Sequence, residues 1–234
     1  MEHFTNINLP GKATQLSAKE KAKGISLRFL ILGGAFVLSL LAFLAIADEM
    51  VLENENGLDL AAFKALAQIT NASTTKAMLL ITFFGSTYFL LPAYIILIVY
   101  FLLFRKTWLL SLEVAAVGIV STIVLFSLKS IFHRHRPLDP IVKSVNGFSF
   151  PSGHSFCSFT FFGLLIYILW NHQMNLTARW AASIFFFLFA CAIAFSRVYL
   201  HVHYASDVVA GFFLCVVWLG ISFWLMRKYR AKLS

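Results

Sequence analysis

The chain of 234 residues is 60% hydrophobic and only 12% charged, with a formal net charge of +9. Globular domains run about 45–50% apolar and about 25% charged, and a domain of this size has too little interior to hide such an excess. A water-soluble fold is thereby excluded. The positive charge reads as cytoplasmic flanks and recognition of an anionic lipid headgroup, with no nucleic-acid partner.

Residues 1–26 are polar and basic, with Lys12, Lys19, Lys21 and Lys23 following Pro10 and Gly11. They read as a cytoplasmic tail, helical in part from Ser17, ahead of one domain over residues 27–234. The first apolar run, Leu27 to Ala47, ends in Ala45-Ile46-Ala47, which resembles a signal-peptidase site. Its length of about 20 residues suits a retained spanning helix better than a signal core of about 7–15. An acidic stretch follows, with Asp48, Glu49, Glu53, Glu55 and Asp59. Within it Leu58, Ala62, Leu66 and Ile69 recur at helical spacing, which predicts an amphipathic helix on the outer surface between the first and second spans. Further spans are predicted over about 78–103, 108–131, 154–170, 180–196 and 205–226, with Pro92 a candidate kink in the second. The expected fold class is all-α, a polytopic membrane bundle of six transmembrane helices. Cys157, Cys191 and Cys215 all lie in apolar runs, which argues against a disulfide framework.

Loop cations set the orientation. The tail, Arg105-Lys106, the 171–179 loop and Arg227, Lys228, Arg230 and Lys232 alternate onto one side, and the acidic stretch falls on the other. The positive-inside rule then makes both termini cytoplasmic, in the cell (inner) membrane. The 132–152 loop breaks that rule by holding His133, Arg134, Arg136 and Lys143 outside. A binding site for a polyanion, facing the periplasm or exterior, accounts for charge in that position.

Three polar islands stand at the outer ends of the spans. In the first, Lys129 and Arg136 are seven residues apart, about two turns if the helix continues, and Pro137 ends it. A charge inside a span is a functional signal by default. Arg134 and Lys106 fit snorkelling cations instead, so Arg134→Lys is expected to be nearly silent. In the second island, Pro151-Ser152-Gly153-His154, Ser152 suits a helix N-cap and Gly153 lets backbone approach a ligand. The free amides of that helix start favour phosphate, and His154 stands beside them as a proton donor. An ordinary cap would spell the same string. In the third, His203 and Asp207 are four apart, hence neighbours on one helical face. A carboxylate on one imidazole nitrogen leaves the other as a nucleophile, although a buried His–Asp pair can also simply join two helices. Arg197 adds a planar fork for phosphate oxygens. A metal site from His133, His135, His201 and His203 lacks acidic or cysteine ligands and has arginine neighbours. No metal and no cofactor are expected.

Together the islands resemble the signature of the type 2 phosphatidic acid phosphatase family, K-x6-R-P, P-S-G-H and S-R-x5-H-x3-D. Lys129, Arg136, Pro137, Pro151 to His154, Ser196, Arg197, His203 and Asp207 match every position. The resemblance implies that His203 attacks phosphorus to form a phosphohistidine and that Asp207 orients it. It implies that His154 protonates the leaving alkoxide and then activates water. Lys129, Arg136, Ser152, Gly153 and Arg197 would hold the phosphoryl oxygens without a metal. The implied partners are a phosphorylated membrane lipid and the bilayer. Phosphatidic acid, phosphatidylglycerol phosphate, a polyprenyl diphosphate and lipid A phosphates all fit, and the short tails are similar to bacterial members. Vanadate-dependent haloperoxidases share the signature but are large soluble proteins. A lipid phosphotransferase and a non-catalytic lipid transporter are the other readings.

Overall fold

The computed structural model describes residues 12–52, 57–142 and 146–233. Glu53, Glu55, Lys143 and the first eleven residues of the tail lie outside the described residues. Helix α1 runs Lys12–Ala47, α2 Gly57–Ala67, α3 Ala72–Phe83, α4 Thr87–Val99 and α5 Trp108–Phe132. Helices α6 Gly153–Trp170, α7 Leu176–Tyr199 and α8 Ala205–Leu233 complete the order. Among the described residues there is no strand.

Among the described residues, six segments are long and apolar enough to cross a bilayer: Phe29–Met50, Ala72–Phe104, Trp108–Phe132, Gly153–Trp170, Leu176–Tyr199 and Ala205–Arg230. Large apolar side chains stand exposed along them, among them Leu30, Leu38, Ile96, Leu103, Phe126 and Leu188. Such a belt is stable only against lipid, where helices satisfy their own backbone polar groups. The chain is therefore a multi-pass membrane protein, and its helical bundle agrees with the fold expected from sequence. Helical structure starts at Lys12 and runs unbroken into the first span.

The second span is not one continuous helix: it is interrupted at Phe84–Ser86, between α3 and α4, and Pro92 sits inside α4. Gly85 is what permits the break to nestle inward. A Cβ there would lie 2.4 Å from Ile193 and 3.2 Å from the His154 ring. The helix after the first span forms over Gly57–Ala67. It docks on the bundle through Asp59, Phe63 and Leu66, while Leu58 is 72% exposed and Ile69 50%; Asp59 is drawn inward by partners on α8 and on the loop after α5.

Helix α6 is the hub, packed on both α7 and α8. Phe156, Phe159, Phe161 and Phe162 fill the core with Ile193, Tyr199 and Val208. Just below the second island, Ser155 Oγ donates to the Val208 carbonyl at 2.7 Å. There a Cβ on Gly211 would meet the Ser152 carbonyl at 3.1 Å. The small residues let α6 and α8 touch backbone to backbone. That contact locks two of the polar islands to each other.

Candidate active site

All three islands converge at one end of the bundle. Helix α5 stops at Phe132, and His133 adopts a left-handed conformation (φ 49°) that closes the last turn onto the Lys129 carbonyl. Lys129 and Arg136 therefore do not share a helix, contrary to the two-turn expectation. They meet because both clasp the strand of chain ahead of the second island. Lys129 Nζ donates to the Phe148 carbonyl at 2.7 Å and the Ser149 carbonyl at 3.1 Å. Arg136 donates to the carbonyls of Gly147 (3.0 Å) and Val202 (2.7 Å) and to His203 Nε2 (3.1 Å).

In the second island Ser152 is the N-cap of α6, and its hydroxyl accepts from the Ser155 amide. The Ser152 amide donates to the Asp207 carbonyl at 3.0 Å, which ties this turn to the third island. His154 is half-buried at the start of α6 and feels the charges of Arg197, Arg136 and Lys129 together with His203. Arg197, in the last turn of α7, donates to Thr82 Oγ1 at 2.8 Å. Its Nε is buried without a hydrogen-bond partner, leaving a donor available to a ligand.

His203 lies just ahead of α8, so the four-residue spacing to Asp207 works through a helix start. The Tyr204 amide donates to Asp207 Oδ2 at 3.0 Å, which folds the carboxylate back over the cap residue. Oδ2 also lies 3.3 Å from His203 Nδ1. Arginine can only donate, so its contact with Nε2 assigns that nitrogen the lone pair and leaves the proton on Nδ1, facing Asp207. Burial takes the imidazole down to about 3, with Asp207 opposing and Arg136 and Arg197 reinforcing the fall. A neutral, oriented imidazole ringed by Lys129, Arg136 and Arg197 has the chemistry to attack a phosphorus atom.

Sequence reasoning missed four residues around Asp207. Ser149 is wholly buried and its hydroxyl donates to Asp207 Oδ2. Arg134, read above as a snorkelling cation, is only 7% exposed. It bridges Asp207 Oδ1 at 2.7 Å and Asp59 Oδ2 at 2.8 Å and stacks on the Tyr204 ring at 4.1 Å. Ser206 joins the ring by donating to Asp59 and accepting from Arg134. The signal for Asp59 was available: it shares an i, i+4, i+7 face with Phe63 and Leu66. The remaining histidines do not converge: His201 packs on Phe63 at 4.4 Å and His133 on Phe148 at 4.5 Å. Among the described residues, no group of three or more His, Cys, Asp or Glu side chains is placed to hold a metal.

Known proteins are similar to this chain in sequence and in fold. The PAP2 superfamily matches residues 106–231, which contain all three islands. Phosphatidylglycerophosphatase B of Bacillus subtilis is 32% identical over 198 residues, 83% of this chain and 94% of that protein. Dolichyldiphosphatase of Saccharomyces cerevisiae is 32% identical over 139 residues, 55% of this chain and 57% of that protein. The crystal structure of a transmembrane PAP2-type phosphatidylglycerolphosphate phosphatase from Bacillus subtilis superposes with a TM-score of 0.74 at 30% identity, covering 85% of this chain and 97% of that one. By the family match over more than half its length, by sequence identity and by fold, this chain belongs to the PAP2 superfamily.

Proposed function

We propose that the protein hydrolyses a phosphate monoester or terminal diphosphate of a membrane lipid through a phosphohistidine. The observation that carries this reading is the neutral His203, its Nδ1 turned to Asp207 and its Nε2 turned to the cations. In the first step Nε2 bonds to phosphorus as the bond from phosphorus to the lipid oxygen breaks. Protonated His154 gives its proton to the departing oxygen. In the second step water attacks the phosphohistidine, neutral His154 takes a proton from that water, and the N–P bond breaks to release phosphate. Lys129, Arg136, Arg197 and the α6 start at Ser152 and Gly153 stabilise the charge on the phosphoryl oxygens. The names of the relatives favour phosphatidylglycerol phosphate or a polyprenyl diphosphate, with phosphatidic acid a third substrate. Released phosphate from a panel of these lipids in detergent tests the reading. No free phosphate, with the phosphate carried instead to an added acceptor lipid, would make the protein a phosphotransferase.

The two site arginines are expected to tolerate no charge-preserving exchange. Each presents a fork to the phosphate region, and removing one preorganised donor typically costs about 10²–10³ in the chemical step. Arg136→Lys and Arg197→Lys should each lower kcat by that order, measured at matched protein levels. Near-wild-type turnover in either would remove that residue from the pocket.

The site is proposed to face the periplasm or exterior, opposite the Arg- and Lys-rich termini. Asn146 is exposed beside the site, whereas Ser149 is buried and reports nothing by labelling. A cysteine at Asn146 should react with a membrane-impermeant thiol reagent in intact cells. Reaction only after lysis would invert the topology.

A further inference from the structure

Asp207 has a full set of donors, and one of them creates a problem. Ser149, the Tyr204 amide and His203 Nδ1 gather at Oδ2, while Arg134 holds Oδ1 from the other side at 2.7 Å. Arg134 fixes the carboxylate so that Oδ2 faces the imidazole. Its positive charge also cancels much of the field that Asp207 exerts on His203, in surroundings where Asp207 is wholly buried and the dielectric is low. Attack on phosphorus turns a neutral imidazole into a cationic phosphorylated one, with Arg136 and Arg197 already nearby. A net negative charge beside His203 is what that step requires.

Asp59 restores it. Its Oδ2 lies 2.8 Å from Arg134 Nη2, and it is 1% exposed. Asp59, Arg134 and Asp207 carry charges of −1, +1 and −1, so the trio sums to one negative charge. Resting on the assignment of His203 as the attacking group, we propose that Asp59 is a positioning residue of the reaction. By neutralising Arg134, it lets Asp207 be both clamped and fully charged toward the imidazole. Helix α2 is thus part of the catalytic apparatus, although it lies outside the residues that match the superfamily. A mere pin between α2 and α8 needs no such balance, since the hydrogen bonds from the Ser206 amide (2.9 Å) and hydroxyl (2.6 Å) already join them.

The test uses the full chain in detergent with phosphatidic acid or another lipid phosphate that wild type hydrolyses. Asp59→Asn should lower kcat by roughly 10–100-fold, the range seen when an outer partner of a working group is removed, and leave KM little changed. Orthovanadate, which takes a five-coordinate form on an attacking histidine, should lose potency in step with kcat. Inorganic phosphate should inhibit as before. Asp59→Glu should recover much of the loss. The decisive variant is the double change Asp59→Asn with Arg134→Met, which deletes one charge of each sign and returns the full charge to Asp207. It should turn over faster than Asp59→Asn alone. A double variant no better than the single one, or a single variant with wild-type kcat, overturns the inference. Should Asp59→Asn not fold, the double variant decides: turnover within about tenfold of wild type supports charge balance, and none overturns it. A wild-type protein that neither releases phosphate from any lipid phosphate nor passes it to an added acceptor lipid overturns the assignment of His203 beneath, a separate result.

Discussion

His203→Ala is expected to abolish turnover. Losing a covalent attacking group removes a whole pathway, a loss on the order of 10⁵–10⁶-fold by analogy with knockouts in catalytic triads. The buried imidazole is held between Asp207 and Arg136, and no second side chain of the three islands stands in that position. Rapid quenching of wild type with a radiolabelled lipid phosphate should also trap an acid-labile, base-stable phosphoprotein that the variant lacks. Residual activity above about a tenth of wild type would take His203 out of the role, because general acid–base help alone accounts for about 10²–10⁴.

Arg134→Met is expected to be the most destabilising single change at the site. It leaves Asp59 and Asp207, 1% and 0% exposed, without the guanidinium they share. Breaking a buried pair by removing one partner costs about 3–5 kcal/mol. At about 2–4 °C per kcal/mol for a chain of this size, thermal unfolding in detergent should fall by roughly 6–20 °C. Arg134→Lys should lie between, since one ammonium cannot reach two carboxylates through separate nitrogens of a fork. A melting temperature for Arg134→Met equal to wild type would show that the buried triad contributes nothing to the folded state.

The motif residues were legible in the sequence because their spacing is covalent. Ser152 must cap the helix that follows it, and Asp207 must reach back over the start of α8 wherever α8 points. The spans were legible because hydrocarbon length and charge exclusion are local properties. Arg134 was not legible, since Arg134 and Arg136 occupy the same loop with the same chemistry. Which of them is buried depends on Asp59, 75 residues earlier in the chain. The apolar period of α2 was legible as helical, but which of its side chains meets the bundle depends on the same distant ion pair, which draws Asp59 inward. At the second span, Pro92 sits inside α4 as a membrane helix allows, while the break at Phe84–Ser86 could not be read locally, because it rests on the missing side chain at Gly85 that lets that turn sit against Ile193 and His154. Tertiary contact decided each of these.

The arginines and lysine near His203 also divide by what they rest against. Arg134 is held by carboxylates, and an incoming phosphate would have to compete with two full charges to reach it. Lys129 and Arg136 rest on the neutral carbonyls of Gly147, Phe148, Ser149 and Val202. Those dipoles solvate the cations at a depth where water is scarce, and they yield readily to a dianion because each is a weaker partner than a charged oxygen. The pocket thus keeps its cations solvated without trapping them, and a phosphate drawn to Lys129 or Arg136 meets the same side chains that anchor residues 147–149, so substrate binding and the position of that loop are coupled.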